Sequence, residues 1–323
     1  MDTRTSQRAS QRPTESVLRW LLDSDPAIRW QVMRDLAGEP DEVVARERER
    51  VVNEGWGARL LDRQRADGKW GDGVVAPLWQ STLGAMVLLK DFGLDPASER
   101  ARRAIGLVRE RVTWGPEWGD ASFFEGESEP CINGRVLGLG AYFGHPSERL
   151  LDRLLGEQLA DGGWNCDTER GSVRSSFNTT ICVLEGLLEY EKANGAAPAV
   201  TDARARGQEY LLERRMFRRL STGEVIKDRK GNHDWTTFAF PTSWHYDVLR
   251  GLDYLRDAGV KQDERVAEAI SLVEKRRQED GRWLLDNLHH DPVDFDMEGG
   301  AGKPSRWNTL RAMRVLDWYS ARN

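Results

Sequence analysis

Gln158-Leu159-Ala160-Asp161-Gly162-Gly163-Trp164 is one of three segments built on an Asp-Gly-x-Trp core. The others are Gln64-Arg65-Ala66-Asp67-Gly68-Lys69-Trp70 and Arg277-Gln278-Glu279-Asp280-Gly281-Arg282-Trp283. Each follows an amphipathic stretch. Ahead of Trp164, Leu150, Leu151, Leu154, Leu155 and Leu159 recur at helical spacing. The glycine supplies the backbone freedom that ends a helix. A motif that returns along a chain marks a repeat architecture, and missing it would miscall the fold.

The segments after these turns repeat as well. Arg29-Trp30-Gln31-Val32-Met33-Arg34 resembles Arg306-Trp307-Asn308-Thr309-Leu310-Arg311, and an apolar-then-polar pair recurs as Trp79-Gln80, Ile132-Asn133, Phe177-Asn178 and Tyr246-Asp247. The six polar positions lie 49, 53, 45, 69 and 61 residues apart, with room for a one-residue slip at Gln80. Each pair opens an apolar helical run. One set of helices is expected near 14–23, 41–53 or 57–66, 97–111, 147–160, 201–217 and 262–279. The other is expected near 26–37, 79–91, 131–143, 177–191, 244–258 and 305–320. Pro26 after Ser24-Asp25, and the Pro304-Ser305 entry, suit helix starts. The first set is densely charged, as in Ala45-Arg46-Glu47-Arg48-Glu49-Arg50, and should face water; the second is Gly/Ala-rich and should lie inside. No strand-period segment of useful length appears. The expected fold is all-α, with six helical hairpins in an open solenoid or a closed ring. The low charge of the inner set favours the ring.

Composition bounds the rest. With 323 residues, 39% of them hydrophobic, the chain can bury a sizeable core. A net charge of −6 argues against a nucleic-acid backbone as the main partner. No run of 18 apolar residues offers a membrane span. Met1 to Thr14 is polar with scattered arginines and lacks the apolar centre of a signal peptide. Residues 1–13 are therefore expected to be a disordered polar terminus, and 14–323 a single toroidal domain. Cys131, Cys166 and Cys182 are too few and too scattered for a disulfide framework, which points to a reducing cytoplasm. Nothing in the sequence sets an oligomeric state. Tryptophan is abundant, at 13 residues, and serves core packing, sugar stacking or cation stabilisation.

The Gln-x-x-x-Gly-x-Trp segments at 64–70 and 158–164 resemble the QW repeats of squalene and oxidosqualene cyclases. Pro304-Ser305-Arg306-Trp307-Asn308-Thr309-Leu310 resembles the inner-helix starts of that family. Phe240-Pro241-Thr242-Ser243-Trp244-His245-Tyr246-Asp247 is similar to inner-helix entries of protein prenyltransferase β subunits. The resemblance implies an α/α toroid (an α6/α6 barrel) and acid-initiated cyclisation or isomerisation of an isoprenoid, an apolar small-molecule ligand, in a central cavity. Class II terpene cyclases donate the proton from the middle Asp of an Asp-x-Asp-Asp motif. Asp294-Phe295-Asp296-Met297 matches three of those positions, with Met297 in the last and Glu298 one step on. Asp294 and Asp296 are thus candidate acids in a loop that is otherwise a plain solvated acidic stretch.

Asp247 is the lone acid among the six stacked positions, the others being Gln31, Gln80, Asn133, Asn178 and Asn308. It could serve as general acid or base or simply cap its helix. Trp244, His245, Tyr246, Trp307, Asn308, Asn178 and Glu298 complete the candidate substrate wall. No cofactor is expected. A zinc ion of the prenyltransferase kind would have only Cys131, His245 and Asp247 to mimic that family's ligands, and no Cys-x-x-Cys or His-x-x-x-His spacing supports it. Two other readings stay open. One is a non-catalytic module holding an apolar ligand or a partner; the other is a carbohydrate-active α6/α6 toroid.

Overall fold

Helix entries in this chain are written by short polar side chains. Thr14, Asp25, Ser81, Ser98, Ser147, Asp247 and Ser305 each accept a backbone N–H of the first turn they precede. The computed structural model describes residues 13–76, 80–227, 235–289 and 296–321. Its helices are α1 (Glu15–Leu22), α2 (Pro26–Val32, continued by a wide turn over Met33–Ala37), α3 (Asp41–Glu49), α4 (Gly55–Leu61), α5 (Thr82–Asp91), α6 (Glu99–Arg111) and α7 (Pro130–Tyr142). They continue as α8 (Glu148–Gly156), α9 (Phe177–Asn194), α10 (Pro198–Glu213), α11 (Val248–Asp257), α12 (Ala267–Lys275) and α13 (Arg306–Ser320). A two-residue antiparallel ladder, β1 (Trp283–Leu284) with β2 (Pro304–Ser305), is the only sheet among the described residues.

The fold is all-α, a toroid of six helical hairpins. Helices α2, α5, α7, α9, α11 and α13 form the inner ring. Successive inner helices are tied in a circle. Trp30 Nε1 donates to Phe92 O at 2.8 Å, joining α2 to the end of α5. Tyr142 Oη donates to Leu94 O at 2.8 Å, joining α7 to the same end. Helices α7 and α9 touch through glycine: a Cβ on Gly186 would collide with the carbonyl of Gly134, and one on Gly134 with the backbone of Cys182 and Val183. Arg250 of α11 holds Glu185 of α9 with two bonds of 2.8 and 2.6 Å. Arg311 of α13 faces Asp253 of α11 at 3.7 Å. Arg314 of α13 donates to Gln31 of α2 at 2.8 Å and pairs with Asp35. Arg306 adds bonds to Trp20 O (3.2 Å) and Asp23 O (3.0 Å). First and last hairpins therefore meet.

The three Asp-Gly-x-Trp turns lock outer to inner helices in one way. Trp70, Trp164 and Trp283 are almost fully buried. Each indole N–H donates to the carbonyl ten residues back, Leu60, Leu154 and Val273, at 2.7 to 2.8 Å. Each backbone N–H donates to a threonine on the next inner helix, Thr82, Thr180 and Thr309, at 3.0 to 3.3 Å. Gln64 and Gln158 reach further, to Ala104 O and Ala203 O of the following outer helices, both at 2.8 Å. Arg277 stands where the third turn would carry that glutamine, and lies over the Trp283 ring. The threonines also bear on the stacking of the polar positions. Gln80 and Asn178 share a register two residues before their threonine, where the last repeat has Trp307. By the threonines Asn308 is the position out of step, whereas by the helix starts it is Gln80, which lies ahead of the Ser81 cap while Asn178 and Asn308 lie inside their helices.

Among the described residues no helix is long and apolar enough to cross a membrane. Residues 1–12 lie outside the described residues.

Candidate functional site

A ring of six helices encloses an axis, and what lines it depends on the face each helix turns inward. Every inner helix contributes to a central cavity of about 450 Å³. Part of its wall is apolar, from Trp30, Val87, Leu139, Leu188, Phe240 and Trp307. Phe240 and Trp307 stack at 4.1 Å with 14° between planes. The rest is charged. Arg34, Arg48, Lys90, Arg135, Lys192, Arg250, Arg256, Arg311 and Arg314 line it, against Asp91, Glu185, Glu189, Asp253 and Asp257. Nine bases against five acids leave a cationic cavity in an anionic protein.

Many of these charges are paired. Arg250 donates to Ser243 O and His245 O as well as Glu185. Lys192 meets Glu189 at 2.9 Å and Asp257 at 2.6 Å. Arg256 meets Asp253 at 2.9 Å. Burial works against ionisation of Asp35, but Arg314 and Arg34 outweigh it and hold this carboxyl below its usual range. Asp91 behaves in the opposite way. Burial dominates, Lys90 compensates only in part, Glu185 adds repulsion, and the carboxyl is pushed up to about 6. It is an acid that holds its proton to higher pH than an ordinary aspartate does. Three buried polar atoms of cavity-lining residues, Ser243 Oγ, Trp307 Nε1 and Arg314 Nε, have no hydrogen-bond partner among the described residues. Ser243 also has φ of +52°, a left-handed conformation that costs a non-glycine residue energy.

The residues singled out from sequence are distributed around this cavity rather than gathered in it. Trp307 lines it. Asp294 lies outside the described residues. Asp296 is exposed to solvent. Asp247 is buried and caps α11, accepting from Arg250 N at 2.7 Å and Ala239 N at 3.4 Å, and burial raises its pKa. Asn178 accepts from Tyr246 N at 2.8 Å, while Tyr246 Oη donates to Met216 O at 2.7 Å. Asn308 donates to Phe238 O and Leu284 O. Glu298 accepts from Ser305 Oγ at 2.6 Å and from the backbone of Arg306 and Trp307, so it anchors the start of α13. Trp244, partly exposed, stacks on His245 at 3.7 Å, and His245 stacks on His289 at 3.6 Å. Asp91, Glu185 and Ser243 are among the cavity residues that sequence reasoning missed.

No protein-family model matches the chain, and no curated protein sequence matches it either. Solved structures similar to it include type II terpene cyclase MstE from Scytonema. An apo variant is 18% identical, with a TM-score of 0.48, and the match covers 98% of both chains. A second variant, in complex with geranylgeranyl dihydroxybenzoate, is 18% identical, with a TM-score of 0.48 over 98% of this chain and 99% of that one. A third, with the same substrate, gives 17%, 0.45 and 98% of each.

Proposed function

We propose that the chain binds an isoprenoid bearing an anionic head group in the central cavity, and that Asp91 starts its cyclisation or isomerisation by protonating it. The observation that carries this reading is the charge of the cavity wall, where nine bases face five acids beside an apolar surface. Phosphate or carboxylate oxygens would meet that excess. The apolar wall from Trp30 to Phe240 suits a hydrocarbon tail, and its ring faces stabilise a developing cation. Asp91 is a carboxyl on the same wall whose pKa burial raises to about 6, toward the range a proton donor needs. In this reading Asp91 takes the part that the resemblance gave to Asp294 and Asp296, and residues 14–323 act as one toroidal unit.

The test uses geranylgeranyl diphosphate as probe, with calorimetry for binding and mass spectrometry for products. Wild type binds and converts it. Asp91→Asn still binds but turns over at least a hundredfold more slowly, in line with loss of a general acid. Arg311→Met binds at least tenfold more weakly. Undiminished turnover in Asp91→Asn would overturn the catalytic role, and affinity indifferent to Arg311 would overturn the anion site. Tight binding by wild type with no product would favour the non-catalytic module.

A further inference from the structure

Away from the central cavity, Glu129, Cys131 and Cys166 bring a carboxylate oxygen and two sulfurs within 4.8 Å of one another. Two chain segments supply them. Glu129 and Cys131 flank Pro130 at the start of α7, and Cys166 opens the short helical turn Cys166–Arg170 after Trp164. Neither cysteine is in a disulfide. Cys131 Sγ lies 3.7 Å from Glu129 Oε2, and Cys166 Sγ lies 3.4 Å from Thr179 Oγ1.

We propose that Glu129, Cys131 and Cys166 bind one zinc ion, leaving its fourth position open to water or a donor atom of a ligand. Two thiolates and a carboxylate are a donor set that favours zinc over the hard cations, which prefer oxygen alone. The spacing agrees. Tetrahedral bonds of about 2.3 Å to sulfur and about 2.0 Å to oxygen put those atoms about 3.5 Å apart. Side-chain rotations that move these atoms by about 1 Å would close the site. Access is present, since Glu129 is exposed and Cys166 half-buried. Arg135 Nε donates to Cys131 O at 3.2 Å, placing a cation beside a site whose loaded charge would be −1.

This trio differs from the one suggested by the sequence. Asp247 is committed to the α11 cap, and His245 stacks against Trp244 and His289. The position suggests what an ion would do. Cys131 stands one turn before Arg135, a cavity residue, and Cys166 stands two residues after Trp164. Zinc here would tie the second tryptophan turn to the entry of α7.

The experiment takes full-length protein, reduced and stripped with chelator, and titrates it with Zn(II) and separately with Co(II). The expected result is one metal per chain by elemental analysis, with the near-ultraviolet charge-transfer band of cobalt–thiolate bonds. Cys131→Ser and Cys166→Ser each lose stoichiometric uptake, Glu129→Gln binds at least tenfold more weakly, and Cys182→Ser is unchanged. Far-UV circular dichroism establishes that each variant is folded; if one is not, the wild-type cobalt band decides alone. Sub-stoichiometric uptake, absence of that band, or full uptake in folded Cys166→Ser overturns the site. So does a Cys131–Cys166 disulfide that forms in air at the same rate with saturating zinc present.

Discussion

Two regions of this molecule are built on opposite terms. At the seams between outer and inner helices, Trp70, Trp164 and Trp283 are buried, and the indole and backbone N–H of each has a carbonyl or threonine partner. At the axis, charged side chains face a shared space, with donors left over. The seams do the same job three times and differ only in detail, as Arg277 for glutamine shows. The axis repeats nothing: each inner helix contributes a different set of charges. Stability is thus concentrated at the periphery of the ring and chemical particularity at its centre.

The contrast can be tested by substitution. Trp164→Ala, which removes a fully buried indole, should cost about 3–5 kcal/mol by urea denaturation, and Trp283→Ala about the same. A cost under about 1 kcal/mol would mean the seams are not the frame. Arg250→Met should cost about 3 kcal/mol, because it strands Glu185 and two carbonyls at the axis. Adding Glu185→Leu should recover most of that; a double variant as unstable as the single would show that the carbonyl bonds dominate. Gln158→Ala should cost about 1 kcal/mol for its two lost bonds. Arg277→Gln, which restores the residue of the other turns, should change stability by less than about 0.5 kcal/mol.

The smallest effect is a pH profile. The folded pKa of Asp91 lies above its unfolded value, so its favourable contribution is complete below about pH 4 and is lost as pH rises through about 6. Asp91→Asn removes that loss. Its stability relative to wild type should rise between those values and stay level above them, in thermal melts across the range. A difference independent of pH would place Asp91 outside a desolvated site.

The frame was legible in the sequence because its physics is local. An Asp-Gly-x-Trp turn needs the glycine to end a helix and the indole to reach back ten residues, and both appear within one short string. The polar register was harder. It depends on threonines 12, 16 and 26 residues beyond their tryptophans, across loops of different length. The axis was less legible still. Asp91, Glu185 and Arg250 are ordinary letters in a chain with 31% charged residues. One signal was present: Arg135 and Glu185 each interrupt a run of apolar residues in helices expected to be inside. A charge on a buried helix must find either a partner or a cavity. The acidic loop drew attention because of the resemblance, yet Asp296 meets solvent and Glu298 organises a helix entry.

The bond from Arg306 to Trp20 spans 286 positions of the chain. A ribosome must add 286 residues beyond Trp20 before that bond can form. Until then the ring lacks its last inner helix, and Asp35 and Asp253 lack Arg314 and Arg311. Any ligand that needs the enclosed axis can be held only by a finished molecule, and a copy cut short before Arg306 would have walls but no room.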